Sequence, residues 1–156
     1  MNVNVFKGNL IEYNKINRRA KIKESGHFDI SVIVPVRGRT EFNRKLYESI
    51  NSSADFAGIR CGVTFVEHSN SPSHEKITES NYIYLETKGV FNKCLSFNIG
   101  FIDSIRADYY LFHDLDCIVR KEFMRDLMEN MNNSQYRSLQ SFRDLGLDRD
   151  WETLIK

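Results

Sequence analysis

Seven residues, Ile30-Ser-Val-Ile-Val-Pro-Val36, constrain this chain more than any others. The run is short, β-branched and apolar at almost every position, so both its faces must be covered. A central strand of a parallel sheet meets that need. Gly38 and Arg39 break the run; Thr40 then stands where it can cap a helix in which Phe42, Leu46 and Ile50 recur at four-residue steps. Cys61–Glu67 reads as a second strand, ended by the turn residues Ser69 to Pro72, and Tyr82–Glu86 as a third, closed by Lys88-Gly89. The spacing predicts a helix from Val90 to Ile105, with Phe91, Leu95, Asn98, Ile102 and Ile105 on one stripe. An asparagine on such a stripe needs a partner, so Asn98 is expected to tie the helix to a neighbouring strand end. Tyr109–Val119 reads as a fourth strand that turns acidic halfway, and Lys121–Met131 as a helix with Phe123, Leu127 and Met131 on one side. Strands alternating with helices predict an α/β fold, a mostly parallel central sheet flanked by helices with right-handed crossovers.

Composition bounds the rest. The 156 residues fit one ordinary domain, and 41% hydrophobic residues with 11 Phe and 7 Tyr supply one sizeable core. Lysine and arginine number 22 against 21 acids, a net charge of +1, so no nucleic-acid partner held by bulk positive charge is expected. No apolar run approaches the roughly 18 residues of a membrane span, so no transmembrane segment is expected. Met1–Gly8 lack the charged start and apolar stretch of a secretion signal. Cys61, Cys94 and Cys117 are odd in number, widely spaced and set among apolar residues. They read as buried thiols of a reducing compartment, and the expected location is the cytoplasm. Residues 1–29 form a basic segment of net charge +3, expected to pack on the domain as a strand, hairpin or helix with Val3, Val5, Phe6, Leu10 and Ile11 as its apolar residues. The domain itself is placed at residues 30–156.

Two clusters carry chemistry. In His113-Asp114-Leu115-Asp116, strand alternation would put both aspartates on one face and Leu115 on the other. Two carboxylates held close together repel, and a hard cation such as Mg²⁺ or Mn²⁺ relieves that repulsion, with ligand phosphates filling its open positions. His113 faces away from the pair and is assigned a packing role. In Pro35-Val-Arg37-Gly-Arg39, two guanidinium forks follow the end of the first strand, where ligands of open α/β sheets bind. Glu67 and His68 close the second strand at the same end.

Four motifs in order resemble the nucleotide-sugar glycosyltransferases of the GT-A fold, above all the inverting family-two enzymes and the β-1,4-galactosyltransferases. Pro35-Val-Arg37-Gly-Arg39 is similar to their P-F-R-x-R, Phe91-Asn92-Lys93-Cys94 to F-N-R-A, Asn98-Ile-Gly100-Phe101 to N-x-G-F, and Asp114-Leu115-Asp116 to D-V-D. The resemblance spans residues 30–123 and implies a Rossmann-like nucleotide-diphospho-sugar fold. It also implies metal-dependent transfer of a sugar from a UDP-type donor to a hydroxyl of a glycan or similar acceptor, with inversion. Pro35, Arg37 and Arg39 would then line the nucleotide and its phosphates. Phe91, Asn92 and Lys93 would contact the nucleotide region, and Glu67 or His68 the uracil or ribose. Asp116 would ligate Mn²⁺ or Mg²⁺, and Asp114 the ribose, the metal or its water. Lys93 stands where the relatives carry arginine and lacks the planar fork. Their catalytic base lies beyond the D-x-D in a Trp/Gly-rich stretch that these 156 residues do not contain. No base is therefore assigned, and the expected domain lacks a full acceptor half, which a partner domain or a second copy would complete. Two alternatives stand beside this reading. One is a nucleotide-sugar-binding domain without activity of its own. The other is a haloacid-dehalogenase-type phosphatase using Asp114 and Asp116, for which the chain after Asp116 is too short to hold the remaining residues.

Overall fold

A computed structural model describes residues 16–74 and 80–133. Its elements in chain order are β1 (Arg18–Lys21), β2 (Phe28–Val36), α1 (Glu41–Ala57), β3 (Cys61–Ser69), β4 (Asn81–Glu86), α2 (Lys93–Asp103), β5 (Ala107–Phe112) and α3 (Phe123–Asn133). One sheet holds all five strands in the order β1-β4-β3-β2-β5, with every pairing parallel except the antiparallel β1–β4. The fold is α/β, a mostly parallel sheet flanked by three helices, as the strand–helix alternation requires.

β2 is an interior strand, paired with β3 and β5, and Ile30 to Val36 are all buried. Alternation along it divides the core in two. Ile30, Val32, Val34 and Val36 join Leu46 and Ile50 of α1 and Met124 of α3 on one face, whereas Ile33 meets Ile99 of α2 on the other. Pro35 is tolerated mid-strand for a local reason. The Ile33 carbonyl accepts from the His113 N–H at 3.0 Å, so odd positions of β2 face β5. The last β2–β5 rung is Ile33–Phe112, and Pro35 falls beyond it, where no ladder bond needs its missing N–H.

Several expectations are corrected. β5 ends at Phe112, so Asp114 and Asp116 are not alternate residues of a strand. They flank Leu115 in a turn closed by the Cys117 N–H on the Asp114 carbonyl at 3.3 Å, and burial of Leu115 in the α1/α3 core is what turns both acids outward. α2 is shorter than expected, and its stripe is rotated. Ser96, Ile99 and Gly100 are buried, while Asn98, Phe101 and Ile102 are exposed, so Asn98 ties nothing to a strand end. Small residues win this face because the helix lies close to the sheet. A Cβ on Gly100 would sit 2.3 Å from Ile33 Cγ2 and 2.9 Å from Val66 Cγ2. Thr40 occupies the first cap position of α1 without giving a side-chain hydrogen bond. In α3 the anchor is Met124, fully buried, with Phe123, Leu127 and Met128 packed beside it.

Within the basic segment 1–29, β1 extends the sheet, Arg18 Nε donates to Asp103 at 2.7 Å and Arg19 stacks on Tyr84. Val3, Val5, Phe6, Leu10 and Ile11 lie outside the described residues. Of the three thiols expected to be buried, Cys94 is exposed, being the second residue of α2 on its solvent side, and Cys61 and Cys117 are half-buried. Among the described residues no helix is long and apolar enough to cross a membrane.

Candidate functional site

The connections decide where a site forms. β2 passes through α1 to β3 on one side of it, whereas β4 passes through α2 to β5 on the other side. The strand order therefore reverses between β2 and β5, and the carboxyl ends of the strands at such a switch point are where open α/β sheets hold ligands. Arg37–Arg39, His68, Phe91–Lys93 and Asp114–Asp116 all come to this end.

The turn after β2 is unusual. Gly38 and Arg39 are both left-handed, with φ of 63° and 56°. For a residue with a Cβ that conformation costs roughly 1–2 kcal/mol. It aims the Arg39 side chain across the switch point, where Nη1 donates to Asp116 Oδ2 at 2.9 Å. Arg37 Nη1 donates to the Gly89 carbonyl at 3.1 Å, which carries the turn toward the loop before α2. Lys93, the first residue of α2, pairs with Asp114. The repulsion expected between the two acids is thus relieved by two cations that the fold brings to them. The aspartate side chains keep 43% (Asp114) and 19% (Asp116) of their surface. Ion pairs this open are worth about 0.2–1 kcal/mol each, so they exchange readily for other ions. Among the described residues no three His, Cys, Asp or Glu side chains gather as a metal set. Mg²⁺ and Mn²⁺ are commonly held by one or two carboxylates completed by substrate phosphates. Asp114 and Asp116 fit that donor set, with the phosphates supplied by a ligand.

Alternation sends Glu67 and His68 to opposite faces of β3, and the two diverge in role. Glu67 is 0% exposed. Its carboxylate accepts from Tyr82 Oη at 2.5 Å, Ser69 Oγ at 2.9 Å, Ser73 Oγ at 2.7 Å, and the N–H groups of Ser73 and His74 near 3.0 Å. Burial pushes this carboxyl up, and the hydrogen bonds from Tyr82, His74 and Ser73 outweigh it, holding the group below its usual value. Glu67 is therefore the anchor of the loop after β3, with its oxygens committed to protein donors rather than to a uracil or ribose.

His68 points toward α2. Its Nδ1 accepts from the Asn92 N–H at 3.0 Å, and its ring lies 6.1 Å from that of Phe91. Burial and then the charge of Arg37 push its pKa down, so the ring is neutral near pH 7. A groove of about 400 Å³ opens beside it, bounded by Ile16, Leu95 and the strand end Glu86–Lys88. Asn92 spends its side chain as the cap of α2, accepting from the Leu95 N–H at 2.9 Å. That side chain is thereby committed to the helix end. Pro35 is buried inside β2 and shapes the strand end without presenting a polar group. His113 packs edge-on to Phe123, with Nδ1 2.8 Å from the Asp114 carbonyl oxygen. A wider, flatter groove of about 600 Å³ runs past Tyr47, Phe56 and Lys121 and includes none of these residues.

Sequence reasoning missed His74, Asn43 and Tyr82, which complete the buried cluster around Glu67. Asn43 alone left a trace, a polar residue beside the apolar stripe of α1. No family model, no curated protein and no solved structure matches this chain.

Proposed function

We propose that this chain is a GT-A-like glycosyltransferase domain. It binds a nucleoside diphosphate-sugar with a divalent cation at the carboxyl ends of β2 and β5 and transfers the sugar to an acceptor hydroxyl. One observation carries the reading. Asp116 and Arg39, 77 residues apart, and Asp114 and Lys93 meet as exchangeable ion pairs at the switch point of the sheet. A diphosphate offers each member of these pairs a better partner. Asp116 and Asp114 would hold Mn²⁺ or Mg²⁺, which when bound neutralises charge developing on the diphosphate leaving group. Arg39 and Lys93, released from the carboxylates, turn to phosphate oxygens, and Arg37 adds a second guanidinium fork. His68 borders the groove that takes the nucleoside, and the Phe91 ring lies beside His68. The residues 30–123 that carry the resemblance bear the donor half of such a site.

Thermal unfolding with UDP, GDP or CMP, each with and without Mn²⁺, tests this. UDP with Mn²⁺ at 100 times its dissociation constant adds about 2.7 kcal/mol of stability, and Asp116→Ala removes the metal-dependent part. Absence of a shift with every nucleotide overturns the reading. Binding without transfer is the second reading, favoured because Arg39 and Lys93 already neutralise the acids without a cation. Release or transfer of sugar from a UDP-sugar by the purified chain separates the two.

A further inference from the structure

We propose that His74 is a positioning residue, a buried peg through which the Glu67-anchored loop after β3 holds the Arg37–Arg39 turn in its ligand-ready form. The inference rests on the reading of that turn as a phosphate-binding element. It starts from the turn's own need. Two successive left-handed residues, one of them an arginine, persist only where the surroundings over-determine them. Local chemistry does not supply that constraint, since Thr40 forms no side-chain cap and the space around Gly38 is open. The constraint has to come from another part of the chain.

His74 is placed to provide it. The residue is 2% exposed, and its backbone N–H donates to Glu67 Oε2 at 3.0 Å, so the ring is carried by the heavily bonded carboxylate that anchors the loop. Asn43, also buried, hydrogen-bonds the ring through its side-chain amide. That contact lies in the first turn of α1, directly after Arg39 and Thr40. The Asn43 N–H bonds back to the Thr40 carbonyl and the Phe42 N–H to that of Arg39, which ties the contact to the turn itself. The chemistry of the residue argues against mere filling. His74 Nε2 and Asn43 Oδ1 have no hydrogen-bond partner, and burying unsatisfied polar atoms is costly. Phenylalanine or leucine would pack the same space at lower cost. A histidine here is explained by what its ring holds.

Two readouts test the peg, one without any ligand. In His74→Phe, amide hydrogen exchange at Phe42 and Asn43 rises at least tenfold while exchange in β2 and β3 stays unchanged. Asn43→Ala gives the same local effect, and the double variant adds no more than twofold to it. The dissociation constant for UDP with Mn²⁺ rises at least tenfold in either single variant, and His74→Gln, which keeps a hydrogen-bonding side chain toward Asn43, recovers part of the loss. Unchanged exchange at Phe42 and Asn43 in a folded His74→Phe protein overturns the proposal. Should that variant not fold, Asn43→Ala carries both readouts with the same outcomes. If the unaltered chain binds no nucleotide, the functional reading falls while the exchange result still judges the peg.

Discussion

Glu67 and the Asp114–Asp116 pair are carboxylates at the same end of the same sheet, and they are opposites. Glu67 is buried and saturated by protein donors, and its loop is built around it. The aspartates stand in a turn, paired directly with the partly exposed side chains of Arg39 and Lys93. A carboxylate paired by backbone N–H groups and short hydroxyls cannot change partners without unfolding its surroundings. One paired by long basic side chains can. Acidic residues at a strand end are thus not equivalent candidates for a ligand, and their donors tell them apart better than their sequence position does.

The comparison is broken most directly by substitution. Glu67→Ala leaves several buried donors unsatisfied, and in urea unfolding it costs about 3 kcal/mol or more. Asp114→Asn and Asp116→Asn each cost less than about 1 kcal/mol in the same measurement. An aspartate variant as costly as the glutamate variant would show that the surface pair is structural. Acid sharpens the contrast next. His68, His74 and His113 are held below the ordinary value of 6.5, chiefly by burial. The unfolded chain therefore binds protons more readily, and stability present above about pH 6.5 is lost as pH falls through their lower folded values. Glu67, also depressed, keeps its contribution down to its usual value of 4.5 and loses it only below that. Unfolding free energy measured from pH 7.5 down to about pH 3 falls in these two stages; a curve flat between pH 7 and 5 would contradict neutral buried histidines. The smallest effect on stability is at the cysteines. Cys94, exposed beside Lys93, reacts first with a thiol reagent, and Cys94→Ser leaves stability within about 0.5 kcal/mol. Cys61, whose thiol is pushed up to about 12 by burial and then by Glu24 and Asp29, reacts only on unfolding.

Much of the architecture was legible in the chain. β2 was visible because a strand covered on both faces is apolar almost throughout, and the order of elements from β2 to α3 followed from period changes, whereas β1, Arg18–Lys21, has no such period. The ends of elements were less so. Asp114-Leu-Asp116 alternates like a strand, yet a turn around a buried Leu115 produces the same outward acids, so the pattern could not tell the two apart. The stripe chosen for α2 failed because apolarity marked Phe101 and Ile102, whereas closeness to the sheet selected Ser96 and Gly100. Glu67 looked like a ligand residue for want of any local sign that Ser73, His74 and Tyr82 converge on it.

By itself the sequence determined the α/β class, the strand covered on both faces and the sheet end at which its charged motifs gather, because hydrophobic period is a property of neighbouring residues. Only the tertiary structure decided which acid is an anchor and which are open, and that a histidine outside every motif supports the arginine turn. Those assignments depend on pairings such as Arg39 with Asp116, whose partners lie 77 residues apart and meet only when the crossovers bring strand ends together.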